Sequence, residues 1–234
     1  MSDLSSTIAA RLDAIRGRIA AAAARSGRSP EAVRLVAVSK TYPAACVEAA
    51  VAAGQLDFGE NKVQEGLQKI AEVTDNRIRW HVIGHLQSNK ARKAAEAFHW
   101  IHAVDNLSLL RKLDNGAAAA GRRPKALVQV DLAGEATKFG AAPGDLPGIF
   151  AAAAECTALE LVGLMLLPPA VDDPDGARPW FRKLVAVRDG LQAAGIPAAR
   201  LSELSMGMSH DFEVAIEEGA TIVRIGSAIF GERR

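Results

Sequence analysis

Tyrosine is almost missing from this chain: one residue, Tyr42, among 234. Cysteine is nearly as scarce. Cys46 and Cys156 lie far apart and in no C-x-x-C pattern, which argues against a disulfide framework or a cysteine zinc site. They read as free buried thiols. Excess charge is absent too. The 28 basic and 27 acidic side chains leave a net charge of +1, so neither a nucleic-acid footprint nor an acidic tail is present. No apolar run approaches the length of a bilayer span. The start, Met1-Ser2-Asp3-Leu4-Ser5-Ser6, has no basic segment followed by an apolar one, so no secretory signal is expected. The expected setting is reducing and cytoplasmic, with no nucleic-acid or membrane partner.

What is present is ordinary globular material, 49% apolar and 24% charged, enough for one large domain or two small ones. Residues 3 to about 26 carry Leu4, Ile8, Leu12, Ile15 and Ile19 at helical spacing, and Gly27 and Pro30 end the pattern. Short apolar runs and helical segments then alternate. Strands are predicted at 34–40, 55–61, 80–86, 100–105, 125–132, 159–167, 200–205 and 221–227. Helices are predicted at 43–53, 62–73, 89–98, from Asn106 or Ser108 to 119, then 145–156, 176–194 and 210–218. Eight strand–helix units without a long linker imply an α/β fold with a parallel sheet. The length matches a single (β/α)8 TIM barrel over 1–234, with residues 1–30 an extra N-terminal helix packed on it. The runner-up is an open doubly wound sheet, but no G-x-G-x-x-G turn follows the first strand.

In a barrel the chemistry sits at the C-terminal strand ends, and phosphate often sits after strands seven and eight. Ser205-Met206-Gly207-Met208-Ser209-His210 and Gly226-Ser227-Ala228 stand there. Small residues let backbone N–H groups approach an anion, serines add hydroxyl donors, and 227–230 can form one helical turn facing the same ligand. Val223 and Ile225 share one face and belong against the helices, so Arg224 points into the barrel. There it needs a carboxylate such as Asp131 or Glu60, or a ligand. Lys40 ends the first strand on the face of Val36 and Val38. It is either a surface lysine just past a strand end, or a partly desolvated amine with a lowered pKa, suited to a Schiff base. Lys40, a phosphate cradle and an inward arginine together suit a phosphorylated aldehyde. His81 and His85 share a strand face, but no third metal ligand is placed. Asn61 can reach the mouth or cap a helix, and Met165 is core or a flat ring's neighbour.

Ala37-Val38-Ser39-Lys40, Phe58-Gly59-Glu60-Asn61, the run His81-Val82-Ile83-Gly84-His85-Leu86-Gln87-Ser88-Asn89-Lys90, Gly163-Leu164-Met165, Ser205-Met206-Gly207-Met208-Ser209 and Val223-Arg224-Ile225-Gly226-Ser227 together resemble the pyridoxal phosphate homeostasis protein family, from about residue 34 to 232. The resemblance implies a barrel like the N-terminal domain of alanine racemase. It also implies pyridoxal 5′-phosphate bound as an imine on Lys40. Ser205, Gly207, Ser209, Gly226 and Ser227 would cradle the phosphate, Arg224 would face the pyridine nitrogen, and Asn61 and Met165 would flank the ring. It assigns His85 nothing. Rival lysines for the aldehyde are Lys62, Lys90 and Lys138.

An arginine at that nitrogen donates and cannot accept, so the ring is a weak electron sink. Racemization also needs a second base. The chain ends at Arg234 soon after the eighth strand, so no further domain is expected to supply one, and Tyr42 is the only tyrosine. The expectation is a monomeric carrier that buffers and delivers the cofactor to apo-enzymes. The alternatives are a weak racemase or lyase, or a cofactor-free Schiff-base aldolase.

Overall fold

Short β-branched runs alternating with helical segments become, in the computed structural model, a closed parallel barrel; residues 2–134 and 139–231 are described. Its strands are β1 (Arg34–Val38), β2 (Asp57–Glu60), β3 (Arg79–Val82), β4 (Trp100–Val104), β5 (Lys125–Gln129), β6 (Glu160–Met165), β7 (Glu203–Ser205) and β8 (Ile222–Ile225). Each pairs with the next in sequence, and β8 closes on β1 with Val36 opposite Arg224. The helices are α1 (Ser2–Arg25), α2 (Ala44–Ala52), α3 (Val63–Glu72), α4 (Ala91–Ala97), α5 (Leu107–Ala119), α6 (Leu146–Ala153), α7 (Arg178–Ala193), α8 (Phe212–Glu217) and α9 (Ser227–Phe230). The TIM-barrel expectation holds, and the open doubly wound sheet does not.

Side-chain alternation along each strand separates two cores. Val36, Trp100, Leu127, Val162, Met165 and Ile222 fill the barrel interior. Ala37, Phe58, Trp80, Ile101, Val128, Val223 and Ile225 face the helices. Strand eight therefore divides as its pattern predicts, with Ile222 and Arg224 inward. Asn106 caps α5, its side-chain oxygen accepting from the Leu109 N–H at 2.9 Å.

The N-terminal helix buries Ile8, Leu12, Ile15 and Ile19 as expected, and Ala22 and Ala23 extend the stripe. Leu4 does not join them; it stands in the first turn, 41% exposed. Arginines tie the helix region to the barrel helices. Arg16 donates to the Ala53 carbonyl at 3.0 Å, past the end of α2. Arg28 donates to the Ile216 carbonyl at 3.0 Å, in the last turn of α8, and to the Ala220 carbonyl at 2.8 Å, past its end. Both bond carbonyls at helix ends, where the intrahelical ladder runs out.

Every strand is shorter than the run predicted for it, and for three the cause is visible. The third ends at Val82, because Gly84 turns the chain against Asn61; a Cβ at Gly84 would lie 2.6 Å from the Asn61 carbonyl oxygen. The fifth ends at Gln129, and Val130 makes only an isolated bridge to Ala141. The seventh starts at Glu203, since Ala198–Arg200 forms a 3-10 turn after Pro197. Cys46 is buried and Cys156 only half-buried; both are free.

One glycine is indispensable to closure. A Cβ on Gly163 would stand 1.9 Å from the Glu203 carbonyl oxygen, which is backbone of the neighbouring strand. Gly163→Ala should therefore cost about 3 kcal/mol, the upper end for overpacking, in a urea titration. Gly190→Ala, on an exposed face of α7 with nothing near the new methyl, should gain about 0.5–1 kcal/mol instead.

Candidate functional site

Lys40 follows β1 on a tight turn, and that turn is clamped from behind. Thr41 adopts φ 70, a left-handed conformation costly for a β-branched residue. Buried Lys69 on α3 donates to the Ser39 carbonyl at 2.6 Å, to Glu60 Oε1 at 2.8 Å and to Glu65 Oε1 at 3.0 Å. The Ser39 hydroxyl donates to Glu60 Oε1 at 2.6 Å, and the Thr41 N–H donates to Glu65. Burial pushes the Glu60 carboxyl upward against the pull of Lys69 and Ser39. Glu60 thus faces α3 and holds the turn, while its neighbour Asn61 reaches the barrel mouth. Lys62, not Asn61, precedes α3 at the N-cap position, without a side-chain cap.

The mouth contains a cavity of about 420 Å³. Half-buried Lys40 and Asn61 line one part of it, and Ser209, Gly226 and Ser227 line another. Arg224 also borders it, with Val38, Ile83, Leu167 and Met208 as apolar lining. A Cβ on Gly226 would come within 3.1 Å of the Val38 carbonyl oxygen, a tight approach between this loop and β1. The Gly226 N–H donates to Ser209 Oγ at 3.3 Å, joining the two glycine–serine loops. Residues 227–230 form the single helical turn read from the sequence. Ile229 and Phe230 both donate to the Gly226 carbonyl, so the N–H groups of Ser227 and Ala228 begin the turn without an intrahelical acceptor.

Three residues expected at the site stand elsewhere. Ser205 is fully buried inside the barrel, below the cavity. Met165 is fully buried in the interior cluster. Gly207 sits at φ 92, where a Cβ would meet Ala215 and Phe212 at 2.6 and 2.9 Å; its carbonyl accepts from the Arg224 N–H. This glycine lets the loop pass α8. The rival lysines Lys62 and Lys90 are not in the cavity lining, and Lys138 lies outside the described residues.

Arg224 bonds neither carboxylate considered for it. Asp131 accepts from the Ala133 and Gly134 N–H groups, and Glu60 faces α3. Arg224 Nη1 instead donates to Ser205 Oγ at 2.6 Å and Nη2 to the Leu166 carbonyl at 2.8 Å. Burial lowers the guanidinium to about 10 against the pull of Asp211, so it stays charged at neutral pH. Ser205 Oγ lies 2.9 Å from His102 Nδ1, His102 Nε2 lies 3.0 Å from His81 Nδ1, and His81 Nε2 lies 3.1 Å from Asp57 Oδ1. Arg79 Nε donates to Asp57 Oδ1 at 2.7 Å. His102 and Asp57 were not singled out in the sequence, although the period-2 alternation that turns Trp100 inward also turns His102 inward. His81 and His85 do not act together: His81 is interior, while His85 stacks on Phe139 at the mouth, ring centroids 3.5 Å apart. Among the described residues no group of three or more histidine, cysteine, aspartate or glutamate side chains is arranged to hold a metal ion.

Burial alone would raise the Asp57 carboxyl, but hydrogen bonds from Arg79 and His81 outweigh it and hold the group well below the usual carboxylate range. A carboxylate lowered on folding stabilises the fold above its unfolded value of about 4, and that contribution is lost as pH falls. Urea titrations between about pH 5 and pH 3 should show a steep stability loss for the wild type and a shallower one for Asp57→Asn.

Residues 10–234 match the family model described as the alanine racemase N-terminal domain. The pyridoxal phosphate homeostasis protein of Pseudomonas aeruginosa is 45% identical over 97% of this chain and 96% of its own. The protein of the same name from Escherichia coli is 42% identical over 97% of each chain. The structure of PipY from Synechococcus elongatus with PLP bound superposes with a TM-score of 0.85 at 42% identity, covering 96% of this chain and all of that one. With its barrel, its strand-end lysine and its paired glycine–serine loops, the chain belongs to the pyridoxal phosphate homeostasis protein family, built on the alanine racemase N-terminal fold.

Proposed function

We propose that this chain binds pyridoxal 5′-phosphate on Lys40 and serves intracellular homeostasis of that cofactor, buffering it and delivering it to apo-enzymes. The observation that carries this reading is one cavity bordered by Lys40, Arg224 and the loops of Ser209, Gly226 and Ser227. The lining fits the group. A cavity of about 420 Å³ lies within the range of small-ligand sites. Lys40 offers a primary amine, Ser209 and Ser227 offer hydroxyl donors, and Gly226 leaves its backbone open to an anion. The cofactor supplies an aldehyde that condenses reversibly with a primary amine, releasing water.

The residues of the chain do the holding. The Lys69 clamp fixes the turn, so Lys40 is presented at one wall. Ser209, Gly226 and Ser227 orient the phosphate at the other. Arg224, charged and fixed by two hydrogen bonds, would present a donor to the ring nitrogen and so would hold no proton there. Asn61, which lines the same cavity, would lie beside the ring. The cytoplasmic setting and monomeric state belong to the same proposal. They are compatible with two free thiols and with the lack, among the described residues, of any helix long and apolar enough to cross a membrane.

Carrying fits the lining better than rapid turnover. Tyr42 is not among the lining residues; its hydroxyl donates to the Gly231 carbonyl and its ring tilts against Phe230, centroids 5.1 Å apart. A second reading, a slow racemase or lyase, is favoured by His85 and His210, which do border the cavity.

Loaded protein should show a visible absorption band that Lys40→Ala abolishes. Borohydride reduction followed by peptide mass spectrometry should place the pyridoxyl group on Lys40, not on Lys62, Lys90 or Lys138. Incubation with single amino-acid enantiomers should give almost no inversion. Turnover of about one per second or faster, an ordinary enzyme rate, would establish the enzymatic reading instead.

A further inference from the structure

Five side chains on five strands form one hydrogen-bonded path through the barrel interior: Asp57 on β2, His81 on β3, His102 on β4, Ser205 on β7 and Arg224 on β8. Every member is buried, with His81, His102 and Ser205 fully so. The path starts at the Asp57–Arg79 pair, where the arginine side chain is 43% exposed, and ends at the guanidinium bordering the cavity.

When both imidazoles are neutral, the two ends set the direction of every bond between them. An arginine only donates, and an ionised carboxylate only accepts. Arg224 Nη1 therefore donates to Ser205 Oγ, which leaves the Ser205 hydroxyl proton free for His102 Nδ1. His102 must then carry its proton on Nε2 and donate it to His81 Nδ1. His81 likewise carries its proton on Nε2 and donates it to Asp57. With both imidazoles neutral, every link has one donor and one acceptor.

The competing arrangement charges His81 and reverses two links. His81 then donates from both nitrogens, His102 donates from Nδ1 to Ser205, and Ser205 Oγ receives two donors from this path. Its own proton then lacks an acceptor within the path. A cation there would also be fully buried, with Arg34 and His99 opposing it and only Asp57 favouring it. Burial lowers both histidines, and His102 is lowered further by His81, Arg224 and Arg34.

We propose that Asp57, His81, His102 and Ser205 form a one-directional relay, with both imidazoles neutral and Asp57 ionised, that positions the Arg224 guanidinium toward the ring nitrogen, and that Ser205 is a positioning residue, not a phosphate ligand. The inference about Arg224 and the ring rests on the cofactor-binding reading. The direction of the relay does not. Ser205 fixes Nη1 and the Leu166 carbonyl fixes Nη2, so the plane of the fork is set from below the cavity.

Two measurements test this. The first uses full-length chain labelled with 15N-histidine and stripped of aldehyde, and reads each imidazole nitrogen from long-range nitrogen–proton correlations at neutral pH. Both His81 and His102 should be neutral Nε2–H tautomers, and Ser205→Ala should perturb His102 Nδ1. An imidazolium, or an Nδ1–H tautomer at His102, would overturn the relay.

The second compares binding of pyridoxal phosphate and of unphosphorylated pyridoxal. Ser205→Ala should weaken both by the same factor, about tenfold for a lost hydrogen bond to a charged group, and should move the visible band. Ser209→Ala should weaken only the phosphorylated form. His102→Gln keeps a donor and an acceptor and should stay within about threefold of wild type, while His102→Leu should resemble Ser205→Ala. If Ser205→Ala selectively weakens the phosphorylated form, or leaves both affinities unchanged, the positioning role is wrong. A wild type that binds neither aldehyde would sink the cofactor reading and the positioning role, while the nitrogen measurement would still decide the relay.

Discussion

A guanidinium buried inside a barrel of valine, leucine and isoleucine has to be compensated, because an isolated ion in such surroundings loses several kcal/mol of effective solvation. Arg224 meets that constraint with no carboxylate in direct contact. Its charge is taken up by a serine hydroxyl, a backbone carbonyl and, at a distance, Asp211. The serine passes the demand to His102, then to His81, and the path closes on Asp57, whose own charge Arg79 balances nearer the surface. Much of the polar content of the interior follows from placing one arginine on β8. The apolar filling of Val36, Trp100, Leu127 and Ile222 surrounds the path, and Trp100 stacks on the His81 ring with centroids 5.5 Å apart.

The lysine end of the mouth solves a different problem. A lysine on a flexible turn would sample many positions, whereas Lys40 follows a buried serine and precedes a residue held in the left-handed region. The Lys69–Glu60–Glu65 cluster spans Ser39 and Thr41 from the α3 side, bonding a carbonyl before Lys40 and an N–H after it. Two polar clusters, one between barrel and helix and one inside the barrel, thus fix the two walls of one cavity.

Much of this was legible in the sequence because it depends on local periodicity. Val223 and Ile225 outward with Arg224 inward, and Lys40 on the face of Val36 and Val38, follow from alternation along a strand. The glycine–serine loops after the last two strands identify themselves by composition. What alternation cannot reveal is depth. Ser205, Gly207 and Ser209 look equivalent in one short motif, yet only Ser209 reaches the cavity; Ser205 is still strand and Gly207 is spent on clearing α8. Met165 likewise lies within the barrel. The path behind Arg224 was missed because its members Asp57, His81 and His102 are separated from it by more than a hundred residues and meet only in the closed barrel. Glu60 misled for a related reason: it ends a strand at the mouth, but its side chain points toward α3.

One mouth is held to bring together a clamped lysine, a glycine–serine phosphate cradle and a fixed arginine. A crystal structure of the full chain grown with pyridoxal 5′-phosphate tests it most directly. The expected result is continuous density from Lys40 Nζ to the former aldehyde carbon, phosphate oxygens on Ser209, Gly226 and Ser227, the ring nitrogen within hydrogen-bond reach of Arg224, and Ser205 out of contact with the ligand. Attachment to another lysine, or a ring turned so that its phosphate meets Arg224, would contradict it.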